Sequence, residues 1–153
     1  MTHRITETRA MPWSAQQMFD LVADVRRYPE FLPWVVATRI RSDSETEMVA
    51  DMLVGFSAFK EKFTSRVAKH RPDRIMVEYL EGPLKKLENG WTFAPGEDGG
   101  CTIEFRVEFE FRSAILEKLA GQYMDRAFRK MVAAFEKRAA ELYGQPAKAR
   151  GKT

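Results

Sequence analysis

Between Cys101 and Phe111 the chain alternates apolar and polar residues without a break. Cys101, Ile103, Phe105, Val107, Phe109 and Phe111 fall on one parity, and Thr102, Glu104, Arg106, Glu108 and Glu110 on the other. Successive side chains of a strand point to opposite faces, so this segment reads as a half-buried antiparallel strand with one dry face and one wet face. Directly after it, Ser113 reads as a helix N-cap. A long helix is expected over Ala114–Tyr143, ended by Gly144. At 100° per residue, Ile115, Leu116, Leu119, Ala120, Tyr123, Met124, Ala127, Phe128, Met131, Phe135 and Leu142 fill a broad apolar arc. That arc is far wider than a two-stranded coiled-coil seam, and such a helix needs a sheet to lie across.

The rest of the chain supplies that sheet. Thr2–Met11 reads as a strand ended by Pro12. Ser14 and Gln17 have the spacing of a capping box, and Met18, Phe19, Leu21 and Val22 give the helix behind them a buried face. Pro29 and Pro33 break the next segment into short turns. Strands are then expected at Val35–Arg41, Glu47–Phe56, Ala58–His70, Ile75–Tyr79 and Leu84–Phe93, separated by turns such as Arg71–Arg74 and Ala94–Gly100. A strand, a helical pair, six strands and a long helix imply an α+β domain. Its natural packing is a curved antiparallel sheet around one helix, which leaves room between the concave face and the helix.

Length and charge narrow the function classes. At 153 residues the chain fits a single domain, expected over 1–143, with a basic disordered tail over 144–153. The net charge of +3 comes from Lys148, Arg150 and Lys152 in that tail; the body is neutral, with 22 cations and 22 anions. A neutral body argues against DNA as a partner, while three tail cations suit contact with an anionic membrane. Cys101 is the only cysteine, so no internal disulfide forms and a reducing compartment is expected. The segment Met1–Met11 has no apolar core to serve as a signal peptide, and the longest apolar run, Phe31–Ala37, is far short of a membrane span. A cytoplasmic protein is expected, at most peripheral on the inner face of the membrane.

Catalytic and metal signatures are missing from the sequence. It has no nucleophile elbow, P-loop, dinucleotide fingerprint or zincin motif, and no metal-ligand spacing. His3 falls in a frayed first strand and His70 beside a turn. Cys101 points to the dry face with no cation beside it in sequence, as a buried structural thiol does. Two polar residues interrupt dry parities: Glu61 between Phe59 and Phe63, and Asn89 between Leu87 and Trp91. Facing inward, each is a polar handle in an apolar cavity; at a bulge or edge, each is turned to water. The segment Tyr28–Trp34 is unusually apolar for a Pro-broken stretch. It reads either as a plug packed on the core or as a lid or aromatic foot at a cavity mouth or membrane.

Tyr28-Pro-Glu-Phe-Leu-Pro-Trp34, Val54-Gly-Phe56 with Phe63-Thr-Ser65, Gly82-Pro83 with Trp91-Thr-Phe93, and Met131-Val-Ala-Ala-Phe-Glu136 together resemble the coenzyme Q-binding START-like family. That family includes bacterial proteins also labelled ribosome-association toxins. The resemblance runs over about Thr2–Tyr143; a cysteine often follows the Phe-Leu-Pro-Trp motif in the family, and Val35 stands there in this chain. The resemblance implies a helix-grip fold, a seven-stranded antiparallel sheet around the C-terminal helix. It also implies a cavity-mouth role for Phe31, Leu32, Pro33 and Trp34. With the inward parities, the candidate ligand-binding set is Phe31, Leu32, Pro33, Trp34, Phe56, Phe59, Glu61, Phe63, Leu87, Asn89, Trp91, Phe105, Phe109, Tyr123 and Phe128. The implied role is a non-catalytic carrier or chaperone of ubiquinone or a related polyisoprenoid lipid, supporting quinone biosynthesis and respiratory electron transport. Ubiquinone is then cargo and no cofactor is expected. Two alternatives stand beside this reading: a protein that binds the large ribosomal subunit, and a cyclase or aromatase using Glu61 as acid or base.

Overall fold

The computed structural model describes residues 2–56 and 59–144, with only the backbone of Phe56. The chain runs β1 (Thr2–Met11), α1 (Ala15–Ala23), a 3-10 turn (Val25–Glu30), β2 (Val35–Asp43), β3 (Glu47–Phe56), β4 (Phe59–His70), β5 (Arg74–Glu81), β6 (Leu84–Pro95), β7 (Cys101–Phe111), α2 (Ala114–Arg129) and α3 (Met131–Tyr143). The strands form a seven-stranded antiparallel sheet in the order β1-β7-β6-β5-β4-β3-β2. This is the α+β helix-grip architecture that the sequence implies. The positions expected in the tail lie outside the described residues, apart from Gly144.

Local chemistry sets the element boundaries. The Ser14 hydroxyl accepts from the Gln17 N–H at 3.0 Å, and the Gln17 side chain accepts from the Ser14 N–H at 2.9 Å, so the capping box is complete. Strand β7 alternates as read: all six residues of its apolar parity are buried. It pairs with β1 from Thr2–Glu110 to Met11–Cys101 and with β6 on its other side. Its wet face is laced across strands, with Glu108 accepting from Arg4 Nε at 2.8 Å and from Lys86. Gly100 is required where β7 begins, since a Cβ there would lie 2.4 Å from the Met11 carbonyl oxygen.

The expected long helix is two helices. It breaks at Lys130, whose N–H lies 3.1 Å from the Arg126 carbonyl and 3.2 Å from that of Ala127. The break lets each half follow a different neighbour: α2 packs on β7 and β1, and α3 on α1 and β1. Only part of the expected apolar arc is therefore covered. Ala120, Met124, Ala127 and Phe135 are buried, while Ile115, Leu119, Tyr123 and Leu142 are exposed.

His3 is not in a frayed end. It is buried, stacked flat on Phe109 with ring centroids 4.6 Å apart. Its Nε2 lies 2.9 Å from Glu117 Oε2, and its Nδ1 lies 3.2 Å from Asp125 Oδ2. The carboxylates come from α2, more than a hundred positions away in sequence, which is why no local pattern reveals them.

Candidate functional site

The concave face of the sheet and the two C-terminal helices enclose a cavity of about 130 Å³. Alternation along the strands builds one wall: Ala50, Met52 and Val54 on β3, Phe63, Ser65 and Val67 on β4, Ile75 and Val77 on β5, Leu87, Asn89 and Trp91 on β6, and Phe105 on β7. The roof is Met124, Ala127 and Phe128 on α2 and Met131 and Phe135 on α3. Val22, Val25, Tyr28 and Trp34 close one end.

Phe135 organises this end. It is fully buried and meets Trp91 edge-on at 5.1 Å, Tyr28 at 5.5 Å and Phe31 at 5.0 Å. Trp91 also packs on Phe105 at 4.6 Å. Edge-to-face contacts of this kind hold rings at fixed angles, so the wall is pre-shaped.

The Tyr28–Trp34 segment is pinned from several sides. The Tyr28 hydroxyl donates to the Val22 carbonyl, and burial, then the Asp24 charge, push that phenol well above its ordinary pKa. The Leu32 N–H donates to the Tyr28 carbonyl at 2.9 Å, and the Gly55 N–H to the Trp34 carbonyl at 3.0 Å. The Arg138 guanidinium sits 5.2 Å over the Phe31 ring. Tyr28 and Leu32 are buried, so the segment is largely a plug packed on the core, with Trp34 as its cavity-facing member.

The candidate residues divide accordingly. Trp34, Phe63, Leu87, Asn89, Trp91, Phe105 and Phe128 come together around the cavity. Phe31 packs partly buried beside it, Leu32 is fully buried in the core, and Pro33 is exposed. Phe59 packs against the core away from the cavity lining, and the Phe56 side chain lies outside the described residues. Phe109 is fully buried under His3, and Tyr123 is half-exposed on α2; neither lines the cavity. Glu61 is half-buried and not part of the lining either. The α1 and 3-10-turn residues Val22, Val25 and Tyr28 were not among the candidates, because their apolar spacing marks a buried face without saying that it borders a void.

Polar groups in the lining are few. Asn89 Nδ2 donates to the Arg106 carbonyl at 2.9 Å. Among the described residues, Asn89 Oδ1, Ser65 Oγ and the Trp91 indole N–H make no hydrogen bond. Cys101 is buried and outside the lining, and burial pushes its thiol up to about 11, leaving it inert at neutral pH. Among the described residues no cluster of His, Cys, Asp and Glu is arranged to hold a metal, and no helix is long and apolar enough to cross a membrane.

Comparison with known proteins places this geometry. Residues 11–136 match the polyketide cyclase / dehydrase and lipid transport family. The ribosome association toxin RatA of Rickettsia prowazekii is 37% identical over 139 residues, covering 88% of this chain and 94% of that protein. The coenzyme Q-binding protein COQ10 homolog B, mitochondrial, of Xenopus laevis is 34% identical over 144 residues, covering 92% of this chain and 59% of that protein. The solution structure of the 18 kDa protein CC1736 from Caulobacter crescentus is 40% identical with a TM-score of 0.72, covering 94% of this chain and 99% of that one.

Proposed function

The chain belongs to the polyketide cyclase / dehydrase and lipid transport family, and from that premise we propose that it is a non-catalytic binder of an isoprenoid quinone. The observation that carries the reading is the enclosed apolar cavity with a few uncommitted polar groups in its wall. A dry apolar cavity of about 150 Å³ takes up a benzene-sized ring. The 130 Å³ here suits a quinone ring or one isoprene unit, so the rest of a long tail lies outside it. Quinone carbonyls only accept hydrogen bonds, and the Ser65 hydroxyl and Trp91 N–H are donors without other partners among the described residues.

The energetics suit a carrier. Moving isoprenoid carbon out of water contributes about 0.8 kcal/mol per methylene. A quinone in a bilayer has already gained that, so transfer into an apolar cavity is nearly neutral and the cargo is released as readily as it is taken. An enzyme needs groups aimed at a transition state. Glu61, the acid or base of a cyclase reading, is not in the lining, and Tyr28, which is, is held protonated by burial.

The similarity to a protein named for coenzyme Q binding supports this reading. The similarity to RatA, which extends over nearly the whole of that protein, supports a second one: association with the ribosome. Native purification, solvent extraction and mass spectrometry of the extract separate the two. A near-stoichiometric quinone is the expected result. An empty protein that takes up no quinone from vesicles but pellets with ribosomes at moderate salt overturns the carrier reading in favour of the second.

A further inference from the structure

We propose that the outer face of α2 docks the protein onto an anionic lipid bilayer. Ile115 and Leu119 are the most exposed large apolar side chains described, at 71% and 68%. At 100° per residue they share a sector only about 40° wide with Arg126, and Lys130 borders it at the end of the helix. The exposed charges from Arg112 to Lys130 are all positive, Arg112, Lys118, Arg126, Arg129 and Lys130, with Arg129 paired to Asp125. Of the two carboxylates of the helix, Glu117 faces away from this sector and is held by His3, while Asp125 lies on its flank, about 80° from Ile115, and is held by His3 and by Arg129 Nε at 2.6 Å. Lys118, Arg126 and Lys130 form no ion pair among the described residues.

With both acids bound to His3, and Asp125 also to Arg129, the surface is aliphatic at its centre and its unpaired charges, Lys118, Arg126 and Lys130, are all positive. A helix with that distribution lies in the plane of a membrane interface, with aliphatic side chains among the acyl chains and cations among anionic headgroups. The charge decides between occupants. A second copy of the same face would set cation against cation, and nucleic acid offers phosphates to the cations but nothing to cover Ile115 and Leu119. The Tyr28–Trp34 segment, which the sequence offered as an aromatic foot, is mostly packed inward and is not this surface. The cavity lies on the other side of the same helix, where Met124, Ala127 and Phe128 form its roof. The inference complements the quinone-carrier reading but rests on different residues.

The test is co-sedimentation of the full chain with vesicles of equimolar phosphatidylcholine and phosphatidylglycerol, against vesicles of phosphatidylcholine alone. Binding to the anionic vesicles is expected, weakened by salt. Ile115→Ser with Leu119→Ser is expected to lower partitioning about tenfold or more, since each exposed aliphatic chain loses its burial. Lys118→Gln, Arg126→Gln and Lys130→Gln are each expected to lower it about fivefold, on anionic vesicles only. All these positions are exposed, and unchanged thermal melting confirms the fold. Failure of the wild type to bind anionic vesicles overturns the proposal, as does a double serine variant that binds like wild type. So does loss, in that variant, of self-association or of ribosome binding instead of vesicle binding. Uptake of a short-chain quinone in vesicle-free buffer is read in parallel: the serine variant is expected to match wild type there, so a failed docking surface and a failed cargo reading give different results.

Discussion

His3 on β1 reaches Glu117 on α2 across 2.9 Å, and this contact fastens one wall of the cavity to the edge of the sheet. The same ring holds Asp125 with its other nitrogen and lies flat on Phe109. Carboxylates only accept, so both bonds form when the imidazole carries two N–H donors. His3→Ala removes both bonds and the stacking, leaving Glu117 without its His3 partner and Asp125 with Arg129 alone. A loss of about 1–3 kcal/mol is expected, read as a lower urea midpoint at unchanged slope. A variant as stable as wild type shows that α2 is held by apolar packing alone.

Asp51 gives the stability a pH dependence of known sign. It is buried on β3, where burial alone raises its pKa, but hydrogen bonds from Thr64 at 2.7 Å and Arg41 at 2.9 Å outweigh that and hold it below the ordinary carboxylate value. A group depressed in the folded state stabilises fully above its unfolded pKa, about 3.9 for Asp. That contribution is lost as the pH falls through the folded value. Asp51→Asn keeps the shape but not the charge. The Tm gap between wild type and Asp51→Asn is therefore expected to be largest near neutral pH and to narrow as the solution is taken to about pH 3. A gap that stays constant shows that the Asp51 charge contributes nothing.

The sheet was legible because each strand carries its own evidence: the β7 alternation, the shared parity of Met52, Val54 and Phe56, and the turn residues between runs. Parity marks the inward strand faces, and Phe63, Leu87, Asn89, Trp91 and Phe105 line the cavity, but Phe59, Glu61 and Phe109 share those parities and do not. Helix positions were less so. A 3.6-residue period shows which side of α2 is apolar, but not that Ala120 and Met124 would be covered while Leu119, one place away, would not. That depends on how the helix lies across β7 and β1, where His3 holds Glu117 and Asp125 through contacts invisible in local sequence. The same limit hid the break at Lys130, where the residues are all good helix formers.

Leu32 and Trp34 are neighbours with different tasks. Leu32 is fully buried in the core and Trp34 faces the cavity. Leu32→Ala removes core packing and is expected to cost about 2–5 kcal/mol. Trp34→Ala opens the cavity end and is expected to lower quinone uptake with a smaller loss of stability. Chemical denaturation paired with a quinone-binding titration separates the two effects. If Leu32→Ala melts like wild type and loses uptake, Leu32 belongs to the cavity mouth and not to the core.

The cavity wall offers a size test and a polarity test that must agree. Ala50 is a small residue in the β3 wall, and Ala50→Phe grows a ring into a space that accommodates about one ring. Uptake of any apolar cargo is expected to fall sharply in that variant, with the overpacking costing about 1–3 kcal/mol. Asn89→Leu keeps the bulk and removes the amide, whose second N–H, the first being given to the Arg106 carbonyl, can donate to a quinone carbonyl. Because a single hydrogen bond is worth about 0.5–1.5 kcal/mol net, quinone affinity is expected to drop about two- to tenfold, while a plain isoprenoid hydrocarbon binds as before. Isothermal titration with both ligands reads the difference. Equal losses for quinone and hydrocarbon place the amide in the scaffold, through its bond to the Arg106 carbonyl. A loss confined to the quinone places the amide against the head group.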